Sequence, residues 1–264
     1  MNQTLKRTIT ALALLGIAIG SAYLGLSYFI YLIHILVLLL QIETAKLLFK
    51  DGAQKLALPF IAQCFISTLI FNYYPSYFFP FLYFVLAFSI SLILVLYSGR
   101  ENSDHLRIIS HYVMGFCYVG LLPGLTTKIL MLHDGPYWFI LCLGVVFGGD
   151  VAAYFVGRKF GKKKIIPAIS PNKSWAGAYG GLAASILVGL LLGYYLLPQT
   201  NPVVLGLGCA IAGILAQSGD FYESLIKRTA GAKDSGSLLP GHGGFLDRFD
   251  GILFALPVFY YIAI

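Results

Sequence analysis

The chain has 264 residues, of which 58% are hydrophobic and only 11% are charged. A soluble domain carries about 25% charged residues, because a surface in water needs them. A mean hydropathy of +0.82 therefore excludes a soluble enzyme, and the 20 Phe and 18 Tyr exclude a disordered chain. The apolar runs are continuous rather than alternating, which disfavours a β-barrel. We predict an all-α, polytopic membrane helical bundle, in which each helix satisfies its own backbone polar groups.

Nine apolar segments have about the 20 residues that a membrane-spanning helix requires. They are predicted at 8–26, 27–46, 55–73, 77–97, 108–126, 136–157, 175–197, 202–222 and 245–264. The first two are almost continuous, so a single long tilted helix is the competing interpretation. With a cytoplasmic N-terminus, every lysine and arginine except Lys128 falls in a predicted cytoplasmic segment. This obeys the positive-inside rule and predicts an integral protein of the cytoplasmic (inner) membrane.

The basic residues, with a net charge of +7, are expected to face anionic headgroups rather than nucleic acid. Two predicted cytoplasmic loops, 158–174 and 223–244, are long, basic and rich in Gly, Pro and Ser. We therefore expect the chemistry at the cytoplasmic face, with 1–107 mainly structural and 108–264 catalytic. The four cysteines lie in apolar runs without metal-ligand spacing and are predicted to be core residues.

Four aspartates lie near the cytoplasmic ends of three predicted spans: Asp150, Asp220, Asp247 and Asp250. A carboxylate at the bilayer centre costs about 2.5–3.5 kcal/mol, so an acid in a membrane segment needs a partner or a function. Interhelical ion pairs and hydrogen bonds are one explanation. The other is a site in which clustered carboxylates bind a hard divalent cation such as Mg²⁺, with a second metal ion left open.

The neighbouring residues favour phosphate chemistry. Asp150, Tyr154 and Arg158 recur every four residues and share a helix face. Lys173 and Ser174 precede a predicted span, as an anion site or as a helix cap beside a topology-setting lysine. Glycines at 148–149 and 157 fit either close helix packing or approach to a phosphate. His242, between glycines, is a base, a phosphate donor or a loop residue. Metal and cationic groups around a polyanion are typical of phosphoryl or nucleotidyl transfer.

Residues 224–250 read SLIKRTAGAKDSGSLLPGHGGFLDRFD. This segment resembles the signature of the phosphatidate cytidylyltransferases (CDP-diacylglycerol synthases), S-x-x-K-R, then K-D, then P-x-H-G-G-x-x-D-R-x-D. Upstream, residues 148–164 (GGDVAAYFVGRKFGKKK) and 170–177 (SPNKSWAG) resemble two further elements of that family. Asn172, Ser174 and Ala176 depart from its usual pattern.

The resemblance implies that CTP and phosphatidic acid, at a lipid bilayer, give CDP-diacylglycerol and pyrophosphate with a divalent metal. It implies in-line attack of the lipid phosphate on the α-phosphorus of CTP. The implied metal ligands are Asp220 and Asp247, with Asp150 and Asp250 as ligands or supports. The implied catalytic residues are Asp220, Asp247, Lys227, Arg228, His242 and Arg248. The implied substrate-binding residues are Lys173, Ser174, Ser224, Lys233, Asp234, Gly243, Gly244, Tyr154 and Arg158.

Three other functions compete with this one. A CTP-dependent polyprenol or phytol kinase would use a similar site with an added base. A cation- or proton-coupled transporter would explain acids in membrane segments, but such proteins place polar groups near the midplane. A CDP-alcohol phosphotransferase would carry a DGxxARxxN-type helix, which the sequence lacks. The many glycines also allow close helix pairing in a homodimer.

Overall fold

The computed structural model describes residues 13, 16–50, 53–74, 78–96, 102–236, 238 and 243–264. These residues are mostly helical. The helices are α1 (Leu26–Leu48), α2 (Ala57–Tyr73), α3 (Phe78–Leu96), α4 (Asn102–Gly115), α5 (Gly124–Leu130), α6 (Gly135–Phe160), α7 (Trp175–Leu196), α8 (Pro202–Thr229) and α9 (Leu246–Ala263). A 3₁₀ turn at Gln54–Leu56 precedes α2, and a π-helical turn at Phe116–Leu121 links α4 to α5.

The prediction of a polytopic membrane helical bundle is confirmed. In the described ranges, six segments are long and apolar enough to cross a membrane. They are Leu26–Leu48, Gln54–Tyr73, Asp104–Leu130, Gly135–Phe160, Trp175–Leu196 and Pro202–Thr229. Helix α3 contributes a shorter apolar stretch, and α9 carries three charged residues in its first turns. Part of the predicted segment 8–26 lies outside the described residues, so the number of spans and their orientation stay predictions.

The first two predicted segments are separated by a break in the helix at Gly25. Residues 16–24 are helical, and α1 begins at Leu26. Gly25 has φ 121° and ψ 162°, a backbone conformation that residues with a Cβ rarely adopt. The break lies within two residues of the predicted boundary between 26 and 27, at a glycine that can adopt this conformation.

The chain divides into two compact units. The N-terminal unit comprises Met1–Thr127 and Thr229–Arg248, and the C-terminal unit comprises Lys128–Arg228 and Phe249–Ile264. This division is one of packing. The functional division at residue 107 stays a prediction. Buried polar contacts join helices of the N-terminal unit. Gln63 Oε1 accepts hydrogen bonds from the hydroxyls of Ser91 and Tyr112, at 3.0 and 2.7 Å.

Small residues bring α6 and α7 of the C-terminal unit into backbone contact. Every fourth position of α7 is small and buried, at Gly177, Gly181, Ser185, Gly189 and Gly193. A Cβ at position 177 would lie 2.8 Å from the carbonyl oxygen of Ala153, and one at position 181 would lie 3.0 Å from that of Gly149. On α6, a Cβ added at Gly149 or Gly157 would lie 3.4 Å from the backbone of Gly181 or Gly177, respectively. Close helix packing, the first of the two explanations, therefore accounts for these two glycines, and it fixes the helix that carries Asp150.

Candidate active site

Three carboxylates of the C-terminal unit form one cluster. Asp220 and Glu223 lie one turn apart on α8, and Asp250 comes from α9. One oxygen of each lies within 4.8 Å of an oxygen of the other two. Glu223 is fully buried, whereas Asp220 and Asp250 are partly exposed. Two helices therefore present three carboxylates to the same point.

A glycine allows α8 and α9 to approach closely beside the cluster. A Cβ at Gly219 would lie 2.5 Å from the carbonyl oxygen of Asp250. One helical turn further along, a Cβ at Gly251 would lie 3.1 Å from the carbonyl oxygen of Ala216. The two backbones are therefore in contact where the acids lie, and any larger residue at position 219 must push them apart.

Two lysines neutralise part of the cluster. The Nζ atom of Lys173 lies 2.6 Å from Asp220 Oδ2 and 4.0 Å from the centroid of the Phe221 ring. Lys227 forms an ion pair with Glu223, four residues before it on α8. The third acid, Asp250, has no lysine or arginine within 4 Å among the described residues, so the site keeps an excess of negative charge.

Asp150 of α6 adds a further negative charge. It is exposed, and its carboxylate interacts electrostatically with Asp220 and with Lys173. The acids thus come from the three helices that the sequence predicts. The structure brings Asp220 and Asp250 into one cluster and adds Glu223 to it, and Asp150 is within electrostatic range of Asp220 and Asp250.

The donor atoms of the cluster fit a hard divalent cation. All three ligating groups are carboxylates, which Mg²⁺ and Ca²⁺ prefer, and their charge is only partly offset by lysines. Glu223 is not among the candidate ligands predicted from the sequence. Its signal was its position three residues after Asp220, on the same helix face.

The loop between α6 and α7 is folded so that it holds Lys173 at the cluster. Ser174 caps α7, because its Oγ accepts a hydrogen bond from the Gly177 amide at 3.3 Å; the predicted cap is confirmed. The Ile165 amide donates to the Lys173 carbonyl at 3.2 Å. Arg228 Nε donates to the Ile169 carbonyl, also at 3.2 Å. These contacts fix the backbone on both sides of the lysine.

A second polar site surrounds Asp247 in the N-terminal unit. Its Oδ2 accepts hydrogen bonds from the Gly244 amide at 2.8 Å and from the amide and hydroxyl of Ser235, both at 3.0 Å. Gly243 adopts φ 84°, in the left-handed region, where the loop turns toward α9. In the signature loop, defined as residues 233–247, Ser235 and Gly244 therefore both bind the carboxylate of Asp247.

The remaining predicted site residues are placed as follows. Arg158 Nη1 donates to the Tyr154 hydroxyl at 3.3 Å, as their four-residue spacing predicts. Ser224 is buried on α8. Lys233, Asp234, Arg228 and Arg248 are exposed. His242 lies outside the described residues. The chemical roles assigned to these residues stay predictions.

The fold and the site therefore define a helical membrane protein with a cluster of carboxylates beside lysines. The family model described as "Cytidylyltransferase family" matches residues 5–264. The chain therefore belongs to the cytidylyltransferase family.

Curated relatives carry a more specific name. A phosphatidate cytidylyltransferase of Brucella suis biovar 1 is 45% identical over 137 residues, which cover 50% of this chain and 49% of the relative. Those of Staphylococcus haemolyticus and Pseudomonas aeruginosa are 41% and 40% identical over 146 and 151 residues, which cover 55% of each chain. The chain thus spans about half the length of the curated relatives that it matches.

We expect Gly219→Ala to damage the site without removing any ligand. The added Cβ must displace α9 at Asp250, and such overpacking costs about 1–3 kcal/mol. The melting temperature in detergent should fall, and so should the affinity for Mn²⁺ used as a probe. The matched control is Gly206→Ala on the same helix, where the nearest atom to the new Cβ is a Leu190 methyl group at 3.5 Å. Equal Mn²⁺ affinity in the two variants would contradict the packing argument.

Proposed function

We propose that this chain is a membrane nucleotidyltransferase that converts CTP and phosphatidic acid to CDP-diacylglycerol and pyrophosphate. The observation that carries the proposal is the cluster of Asp220, Glu223 and Asp250 with Lys173 and Lys227 beside it. The signature at 224–250 and the names of the curated relatives support the choice of substrates. The reaction supplies phospholipid biosynthesis with an activated lipid.

The reaction needs positioning more than proton transfer. An oxygen of the lipid phosphate attacks the α-phosphorus of CTP, and the bond from that phosphorus to the oxygen bridging to the β-phosphate breaks. Pyrophosphate leaves with that bridging oxygen and its electron pair. The attacking phosphate is already an anion, so the mechanism requires no strong base, and His242 is not needed as one. The protein has to hold two polyanions in line and offset their repulsion.

Asp220, Glu223 and Asp250 are proposed to hold a divalent cation, and Mg²⁺ is our choice of ion. Asp150 is proposed to support this site, and Asp247 stays a predicted ligand. When bound, the cation supplies positive charge against the phosphate oxygens as negative charge builds up on the leaving pyrophosphate.

Lys173 and Lys227 are proposed to bind triphosphate oxygens, together with Arg228 and Arg248. Both lysines already lie at the cluster, with their amines on carboxylates. A cation that takes over those carboxylates would leave the amines for the phosphates. The positive charges of these side chains would then face the negative oxygens of the bound triphosphate.

The lipid substrate suits a site on membrane helices, because its acyl chains can stay in the bilayer while its phosphate reaches the acids. We propose that this site faces the cytoplasm at the inner membrane, where CTP is available. The basic loop 158–174, with Lys173 near its end, fits a surface that meets anionic headgroups.

The test uses purified protein in detergent–lipid mixed micelles with α-³²P-CTP and phosphatidic acid. We expect label in the lipid phase with Mg²⁺ and none with EDTA. Transfer of label from γ-³²P-CTP to a prenol, without α-label in phosphatidate, would instead indicate the kinase. Absence of CTP binding, in protein shown to be folded, would reject both enzymes and direct attention to transport.

A further inference from the structure

Helix α1 carries a buried carboxylate, Glu43, that none of the signature motifs includes. Glu43 is only 1% exposed. Its Oε2 accepts a hydrogen bond from the Leu246 amide at 2.9 Å, at the first residue of α9. The same oxygen lies 3.1 Å from the hydroxyl of Ser235 in the signature loop. Glu43 thus joins α1 to the two ends of a loop that follows it by about 190 residues in sequence.

Two glycines of the signature loop lie directly against this carboxylate. A Cβ at Gly236 would collide with Glu43 Oε1, and a Cβ at Gly244 would collide with Glu43 Oε2. Both glycines therefore keep space for one side chain from a distant helix. In the described part of the chain no lysine or arginine pairs with Glu43, so the hydrogen bonds to its Oε2 are what hold it in place. Burying a carboxylate without a cationic partner costs folding free energy, which favours a functional role over a purely structural one.

One hydroxyl links Glu43 to Asp247. Ser235 Oγ lies 3.1 Å from Glu43 Oε2 and 3.0 Å from Asp247 Oδ2, and it accepts from the Asp247 amide at 3.3 Å. The Ser235 amide also donates to Asp247 Oδ2. Glu43 accepts from Ser235, which holds the Asp247 carboxylate, and from the amide of Leu246, which precedes Asp247 in the chain. Glu43 therefore helps to fix the position of Asp247.

We infer that Glu43 is a positioning residue for nucleotidyl transfer: through Ser235 and the Leu246 amide it holds the signature loop and Asp247 in their active arrangement. The inference rests on the proposed function for its effect on turnover. It makes α1 part of the catalytic apparatus, although the first 107 residues are predicted to be mainly structural. Mutation of a residue that orients a metal ligand in this way typically lowers metal affinity or activity by about 10- to 100-fold.

The test compares Glu43→Ala, Glu43→Asp and Glu43→Gln with Gln41→Leu as the matched control. Gln41 lies two residues away on α1, is fully buried, and donates to Val119 and Thr68 rather than to the loop. We expect Glu43→Ala and Glu43→Asp to lower kcat and the apparent Mg²⁺ affinity about 10- to 100-fold. Glu43→Gln keeps an acceptor of the same reach, so it should retain most of both. Gln41→Leu should lower the melting temperature and leave the Mg²⁺ dependence unchanged.

Two readouts do not depend on turnover. One is Mn²⁺ affinity without substrates, and the other is hydrogen exchange of the peptide that contains residues 235–247. Loss of protection there in Glu43→Ala, but not in Glu43→Gln or Gln41→Leu, would support the positioning role even if wild-type protein made no labelled lipid. Absence of labelled lipid with wild-type protein would reject the proposed function but not the positioning role. Wild-type protection and Mn²⁺ affinity in Glu43→Ala, or equal losses in Gln41→Leu, would overturn the inference. Should Glu43→Ala not fold, Glu43→Asp with the same readouts decides.

Discussion

Asp220→Asn and Asp250→Asn are each expected to lower turnover about 1,000-fold in protein that remains folded. Each substitution removes a charge from the three-carboxylate cluster while keeping the shape of the side chain. A metal ion supplies several kcal/mol of charge stabilisation in the transition state, and about 4 kcal/mol corresponds to a factor of about 1,000 in rate. The measurement is the transfer of α-³²P label to lipid, together with Mn²⁺ titration of each variant.

Asp134→Asn is the matched control for both substitutions. Asp134 precedes α6 and contacts only the exposed His133 among the described ion pairs, at 3.2 Å. It lies sixteen residues before Asp150, which is about 24 Å along a helix. This variant should retain wild-type turnover. Turnover above a tenth of the wild-type rate in Asp220→Asn, with unchanged Mn²⁺ affinity, would reject the cluster as the metal site.

Lys173→Met is expected to change two affinities in opposite directions. Without the ammonium, CTP loses a charged contact worth about 1.5–3 kcal/mol, so kcat/KM for CTP should fall about 10- to 150-fold. Without nucleotide, Mn²⁺ should bind more tightly than in wild-type protein. The reason is that the amine, 2.6 Å from Asp220 Oδ2, no longer competes for the carboxylate.

Lys162→Met provides the comparison within the same basic loop. Lys162 is exposed, and its replacement should leave both affinities near those of wild-type protein, apart from a small loss of general positive charge. The decisive outcome is the sign of the Mn²⁺ effect. Weaker Mn²⁺ binding in Lys173→Met would mean that the lysine supports the cluster rather than competing for it, and the proposed exchange between amine and cation would then be wrong.

Several features of the fold follow from local sequence alone. Runs of apolar residues predict most of the helices α1 to α9, because a backbone in lipid must satisfy its polar groups within the helix. Two predictions were wrong in detail: the segment at 108–126 is α4, a π-helical turn and α5, and α8 continues to Thr229, so the first residues of the predicted loop 223–244 are helical. Ser174 was predicted as a cap from its place before an apolar run, and Gly25 interrupts the helix where the two predicted segments meet. The carboxylates were predicted as a group because acids are rare in membrane segments.

The sequence by itself thus determined the membrane class, most of the helices and the family signature. Only the tertiary structure decided which acids meet, that Lys173 lies on Asp220, that Glu223 joins the cluster, and that Glu43 holds the signature loop. Glu43 and Ser235 are 192 residues apart, and no local periodicity connects them. Such contacts depend on how closely helices pass at glycines such as Gly219 and Gly177, and on the space that Gly244 leaves in the signature loop. That packing is a property of the whole fold.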